Sequence, residues 1–339
     1  MATTTQREPT QRRHTVPKTM RAAAIDEFGP PSVLTLHTLP VPTAGPHEIL
    51  LAVHAAGIGY WDARIRDGSW AEERQTFPLV LGSDGAGFVV ALGSGVKRFA
   101  LYDRVWAYQY ENGKGGFYAE YVAVNMNNAA LAPPQLDMVS AGASAVTGLT
   151  ALQGIDDHLE VRQGETLLIV GASGAVGTLA IQFAKRLGAH VIGTASGDSA
   201  KALVRELGAD HAVDARSDDA ITLLERFAPD GLDAILALAG GDALERCVDR
   251  LRPGGRVAYP NGIEPEPRRR HGVRAIAYDA VGSPPQWDAL ARAVVESRLR
   301  VPLAGVYPLE QAAQAHERIE QGHVLGRIAL RVCEEKEDE

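Results

Sequence analysis

The chain has 339 residues, room for about two domains. Its 45% hydrophobic and 22% charged residues are ordinary for a soluble globular protein, and a formal net charge of −8 excludes general affinity for nucleic acid. No apolar run approaches the roughly 18 residues of a membrane span, and two cysteines, Cys247 and Cys333, make neither a disulfide framework nor a cysteine-rich zinc site, as expected in a reducing cytoplasm.

Residues 1–19 are polar and lack the apolar core of a secretory signal, so they are predicted to form a disordered arm with Arg7, Arg12, Arg13 and Lys18 solvated. From Met20 to Pro134 the pattern is one of short apolar or alternating runs, at 21–25, 33–38, 48–56, 87–92, 104–108 and 118–124, separated by Gly and Pro clusters. That predicts a compact, mainly antiparallel domain. From Met138 the rhythm changes. A helix over 138–158 leads into alternating strands and helices. These are a strand at 211–213, a helix at 218–227, a strand at 232–238, a helix at 242–251 and a strand at 255–259. This is the pattern of a doubly wound parallel sheet. Helices at 286–297 and 309–321 and a strand at 326–332 follow, and the acidic residues 334–339 read as a frayed tail.

The most informative stretch is 166–195, which reads as apolar strand, glycine turn, helix, second strand. The turn is Ala172, Ser173, Gly174, Ala175, Val176, Gly177, a dinucleotide fingerprint with Ala in the first place. Gly174 lets backbone approach a pyrophosphate, Gly177 lets the helix pack tightly on the strand, and the helix N-terminus offers unpaired N–H groups to the phosphates. In sites built for NAD an acid stands about 20 residues after the glycines and holds the ribose 2′-hydroxyl. That place falls near Thr194, Ala195 and Ser196, where no acid stands. The expected cofactor is therefore NADPH, with Ser196 as a donor and Lys201, Arg205 or Arg216 as sources of positive charge.

Several segments carry a family resemblance: AAGIGYWDARIRDG, LVLGSDGAGFVVALGSGVKRF, GGFYAEYVAV, AVTGLTALQGI, the glycine turn, ELGADHAVD and GHVLGRIALRV. From Met20 to Val332 the chain resembles the zinc-independent quinone oxidoreductases, the zeta-crystallin-like group of the medium-chain dehydrogenases/reductases. The resemblance implies a GroES-like, mainly antiparallel catalytic domain (20–137 and 275–333) around a Rossmann cofactor domain (138–274). Zinc-dependent relatives place ligands at the positions of Gly59, Ser83, Asp84 and Ala143. Glycine, serine and alanine offer no such ligand, so no metal is expected.

Without a Lewis acid the chemistry rests on hydride from the cofactor and on hydrogen bonds. The resemblance implies NADPH-dependent reduction of a small quinone or α,β-unsaturated carbonyl. Tyr60 is the expected proton or hydrogen-bond donor, and Tyr108 and Tyr110 are expected to face a flat substrate. Thr147 is expected on the nicotinamide side, with Leu238 and Ala239 at the sheet's carboxyl edge, Asn261 and Gly262 near the carboxamide, and Arg327 in a closing segment. Two alternatives stay open. One is a non-catalytic, crystallin-like NADPH-binding protein. The other is an enoyl-thioester reductase, for which Arg268, Arg269 and Arg270 would be the phosphate-binding hint. A homodimer or homotetramer is expected by resemblance.

Overall fold

A computed structural model describes residues 15–70, 75–110, 112–217 and 220–333. Most of the expected arm, the acidic tail and the first two residues of the helix expected from 218 lie outside the described residues. Thr19, counted in the arm, already belongs to the first strand, Thr19–Ile25.

The described residues form three sheets. Thr19–Ile25 sits between Thr35–Pro40 and Leu79–Val80, antiparallel to both. The long strand Glu48–Ile58 is the spine of a seven-stranded barrel-like sheet with Asp84–Leu92, Arg104–Tyr108, Tyr121–Asn125 and Ala129–Leu131. The C-terminal strand Arg327–Arg331 closes the sheet against that spine, and Leu303–Pro308 adds to it in parallel. These are the catalytic domain's two antiparallel layers. Their shared core is made of alternating inward residues such as Ile49, Leu51 and Val53.

The third sheet is parallel and six-stranded. Its order is His211–Val213, His190–Thr194, Thr166–Val170, Leu232–Ala237, Leu251–Pro260, Arg274–Tyr278, the 3-2-1-4-5-6 order of a dinucleotide-binding fold. Thr166–Val170 lies at its centre, which is why its run is continuously apolar. The last strand corrects the expected boundary at 274/275. Arg274–Tyr278 pairs in parallel with Leu251–Pro260, and the helix Pro284–Ser297 packs on the cofactor-domain helices. The cofactor domain thus runs on through Ser297, and the chain returns to the barrel at Leu303. The edge strand was hard to read because its pattern, exposed at Arg274, Ala275 and Ala277, lacks the burial of its neighbours.

The helix Met138–His158 is long and apolar enough to span a membrane, but its apolar 18-residue window is 94% buried within the protein. It is the shared wall of the two domains, packing on Glu48–Ile58, Asp84–Leu92 and the glycine-turn helix Ala175–Arg186. Trp106 of the barrel meets Trp287 of the cofactor domain at 5.6 Å between ring centroids, both fully buried. Burying apolar groups of this size contributes roughly 1.5–3 kcal/mol each, enough to hold the two domains in one orientation.

Candidate active site

Gly174 caps the helix Ala175–Arg186 with an extended backbone, and its N–H donates to the Gly171 carbonyl at 3.1 Å. A Cβ on Gly174 would meet only that carbonyl oxygen, at 3.4 Å, so the space before the helix N-terminus is open. A Cβ on Gly177 would lie 2.4 Å from the same oxygen, so the helix packs directly on the turn. Beside the turn is a cavity of about 210 Å³, lined among others by Gly171, Ser173, Ser196, Arg216 and Ala239. An open glycine cradle, a helix N-terminus and a cavity at the carboxyl edge of the parallel strands fit a dinucleotide such as NADPH.

The other residues expected there stand around the cavity and do not line it. Ala172 is fully buried and packs its methyl toward Gly193, while its N–H donates to the Thr194 carbonyl at 3.1 Å. Ala175 and Val176 form the first turn of the helix. Leu238 lies under Gly171, and Lys201 stands on the helix Asp198–Glu206 outside the lining. Among the lining residues not anticipated, two carry ionisable side chains. Asp214 follows the third parallel strand, and His323 arrives from the C-terminal segment with a left-handed backbone, φ 49°.

That segment joins the cofactor turn to the barrel. The Gly326 N–H donates to the Ser173 carbonyl at 2.9 Å, and Arg327 follows at once. Its guanidinium forms an ion pair with Asp84 at 2.9 Å and lies over the Trp61 ring, 4.9 Å from the centroid. Both charged groups are buried. The Trp61 indole N–H donates to Ser83 Oγ at 3.0 Å. A Cβ on Gly59 would fall 2.2 Å from the indole, so the ring fills the space that a side chain there would need. The corner where zinc-dependent relatives hold their metal is therefore packed with an indole and a guanidinium. The carboxylate at a ligand position, Asp84, is already paired with Arg327. The residues present do not fit zinc, and among the described residues no three histidine, cysteine or acidic side chains cluster as a metal site.

The expected pocket residues have different surroundings. Tyr60 opens the short helix Tyr60–Arg66 and is 55% exposed, with the Arg64 guanidinium 5.3 Å from its ring centroid. Tyr108 ends the strand Arg104–Tyr108 and is half-buried; burial and the nearby charges of Asp84 and Asp279 push its phenol up, so it stays protonated. Tyr110 is exposed. One side-chain N–H of Asn261 donates to Asp279 at 2.7 Å. Gly262 has φ 87°, and a Cβ there would meet the Trp70 ring at 2.4 Å, so this indole reaches across from the catalytic domain. Thr147 lies inside the helix Met138–Gln153, not at a helix start, and its hydroxyl donates back to the Ala143 carbonyl at 3.2 Å. Arg270 is neutralised by Glu245 and Asp249, which removes a cation from the basic run that the enoyl-thioester alternative would need.

Behind the corner lies a buried network. Asp62 accepts from the Gly59 N–H at 2.7 Å, the Tyr118 hydroxyl at 3.2 Å and Ser83 Oγ at 3.3 Å. His316 receives Arg66 on Nδ1 at 3.1 Å, which leaves Nε2–H to donate to the Tyr118 oxygen at 3.2 Å. Burial, with the Arg66 charge beside it, lowers the His316 pKa to about 3, so the ring is neutral. Burial, reinforced by the charge of Asp84, raises the Asp62 carboxyl to about 7 against the pull of the Gly59 N–H. The folded chain thus holds this proton far above the pKa near 4 of an unfolded aspartate. The stability linked to it is complete below about pH 4 and is lost as pH rises toward about 7. Asp62→Asn keeps the shape of the protonated form. Its stability between about pH 4 and 7, measured by urea unfolding, should fall less steeply than that of the parent; identical slopes would assign the dependence to other groups.

Residues 45–134 match the alcohol dehydrogenase GroES-like domain, and 207–330 match the zinc-binding dehydrogenase model. The rat quinone oxidoreductase is 32% identical over 314 residues, covering 89% of this chain and 94% of the relative. The chain belongs to the zinc-independent quinone oxidoreductase group of the medium-chain dehydrogenases/reductases. Within this group, the quinone oxidoreductase of Coxiella burnetii superposes with a TM-score of 0.82 at 30% identity, covering 93% of this chain and all of that one. Mycobacterial Rv1454c, solved as a complex with NADPH, superposes with a TM-score of 0.80 at 25% identity over 92% of this chain and all of that one. The match to a model described as zinc-binding reflects the shared fold. At the metal-ligand positions themselves this chain carries Gly59, Ser83, Asp84 and Ala143, with Asp84 already paired to Arg327.

Proposed function

We propose that this protein is an NADPH-dependent, metal-free reductase of quinones and α,β-unsaturated carbonyls. The observation that carries the reading is the corner beside the glycine turn, where Trp61 and the Arg327–Asp84 pair stand in place of a metal. When bound, NADPH supplies the hydride. The chain supplies position and polarity. The turn and the segment through Gly326 are the groups that would hold the dinucleotide. Tyr60, Tyr108 and Tyr110 offer aromatic surface and phenol donors to the oxygen that gains charge. Tyr108, with its raised pKa, is a donor and not a base. An acceptor that needs no strong Lewis acid suits such a site.

Steady-state loss of reduced-nicotinamide absorbance tests this against a panel of quinones, enones and enals, with and without a chelator. Turnover of at least one class, unchanged by the chelator, is expected. Binding of NADPH without turnover of any member would favour the non-catalytic alternative.

Two further readings belong with this one. A homo-oligomer is supported by the free edge of Arg274–Tyr278, whose outer backbone groups are unpaired within the parallel sheet and whose Ala275 and Ala277 are exposed. A reducing, cytoplasmic setting is supported by two unpaired thiols, Cys247 and Cys333.

A further inference from the structure

We propose that Asp214 is a cofactor-selecting residue that lets the site accept NADH alongside NADPH. The second parallel strand, His190–Thr194, ends without the acid that NAD sites use for the ribose 2′-hydroxyl. The third strand, His211–Val213, lies beside it in parallel with Thr194 opposite Val213, and the Ala195 N–H donates to the Val213 carbonyl at 2.8 Å. Asp214 therefore emerges next to Ala195 and Ser196, one strand over from the usual place.

Its carboxylate turns to the same spot. The Ser196 hydroxyl donates to Asp214 Oδ1 at 3.2 Å, and the Arg216 N–H donates to that oxygen at 3.0 Å. The second carboxylate oxygen has no hydrogen-bond partner among the described residues, and Asp214, Ser196 and Arg216 all line the cavity. A hydroxyl has one proton to give. With that proton turned to Asp214, the Ser196 hydroxyl has none left for a 2′-phosphate. The site so presents a free carboxylate oxygen suited to a 2′-hydroxyl. Against it stands the Arg216 side chain, which is exposed, forms no ion pair among the described residues and suits a 2′-phosphate. Carboxylate and guanidinium pull the preference in opposite directions.

The inference rests on the NADPH reading above and is tested on binding alone. Dissociation constants of NADPH and NADH are measured by calorimetry, without substrate, for the parent, Asp214→Asn and Arg216→Gln. The asparagine keeps an acceptor for Ser196 and for the Arg216 N–H, and a thermal melt confirms that it folds. The parent should bind NADH within about tenfold of NADPH. Asp214→Asn should raise the preference for NADPH by about tenfold or more, and Arg216→Gln should lower it by a similar factor, the size expected for one charge at close range. An unchanged preference in Asp214→Asn, or a parent that binds NADH more than about a thousandfold more weakly than NADPH, would overturn the role of Asp214. Loss of binding of both dinucleotides in the parent would overturn the cofactor reading and this inference with it.

Discussion

Arg327→Met is expected to destabilise the protein by about 3–5 kcal/mol near neutral pH, the cost of leaving a buried carboxylate without its partner. Asp84 is fully buried, and its other recorded hydrogen bond is from the Val146 N–H at 3.2 Å. Burial already holds its carboxyl above the usual range, with Arg327 as the main opposing influence. Removing the guanidinium pushes that pKa further up. The sign follows: the folded variant binds the proton more tightly than the unfolded chain, so its deficit is smallest in acid and grows as pH rises through the raised value. Urea unfolding at several pH values measures it. The double variant Asp84→Asn, Arg327→Met removes the orphaned charge and should recover most of the loss. A double variant as unstable as the single one would place the cost elsewhere, in the packing of Arg327 over Trp61 and against Gly57. A Cβ at Gly57 would lie 2.6 Å from the guanidinium, so the glycine makes room for this ion pair.

The parts of this architecture legible in the sequence are those written in local periodicity. The continuous apolar run of Thr166–Val170, the glycine turn and the spaced apolar face of the following helix specify one another within thirty or so residues. The missing metal ligands were equally legible, because an absence at Gly59 or Ala143 needs no partner to interpret. What replaces the metal was not legible. Trp61 and Arg327 meet only because the C-terminal strand returns to Glu48–Ile58, with Ile328 opposite Ile58. Asp214 was missed for a related reason. The rule for the ribose acid counts along the second strand, whereas this acid arrives laterally, through the register of a parallel pair. Leu79–Val80 and Ala129–Leu131 are too short for a period to show. The helix around Thr147 was legible, but the return of its hydroxyl to the Ala143 carbonyl was not, because a serine or threonine inside a helix can turn either to its own backbone or outward.

The two glycines of the turn should separate folding from binding. At Gly177 an added methyl meets the Gly171 carbonyl oxygen at 2.4 Å and the Ala172 backbone at 2.6 Å, neither of which is a flexible side chain. Gly177→Ala must push the helix off the central strand, at a cost of roughly 1–3 kcal/mol or more. It should lower the melting temperature and weaken NADPH together. Gly174 is different. Its φ of −80° suits any residue, and an added methyl touches only the Gly171 oxygen, at 3.4 Å. Gly174→Ala should therefore change the melting temperature little, since alanine narrows the unfolded ensemble by about 0.4–1 kcal/mol but is a poorer helix N-cap than glycine. The same methyl projects into the open space before the helix N-terminus, where backbone must approach a pyrophosphate. NADPH affinity, measured by calorimetric titration, should fall by about tenfold or more. If Gly174→Ala binds NADPH as tightly as the parent, the pyrophosphate does not sit in this cradle. If Gly177→Ala melts like the parent, the contact between helix and turn is not what requires glycine there.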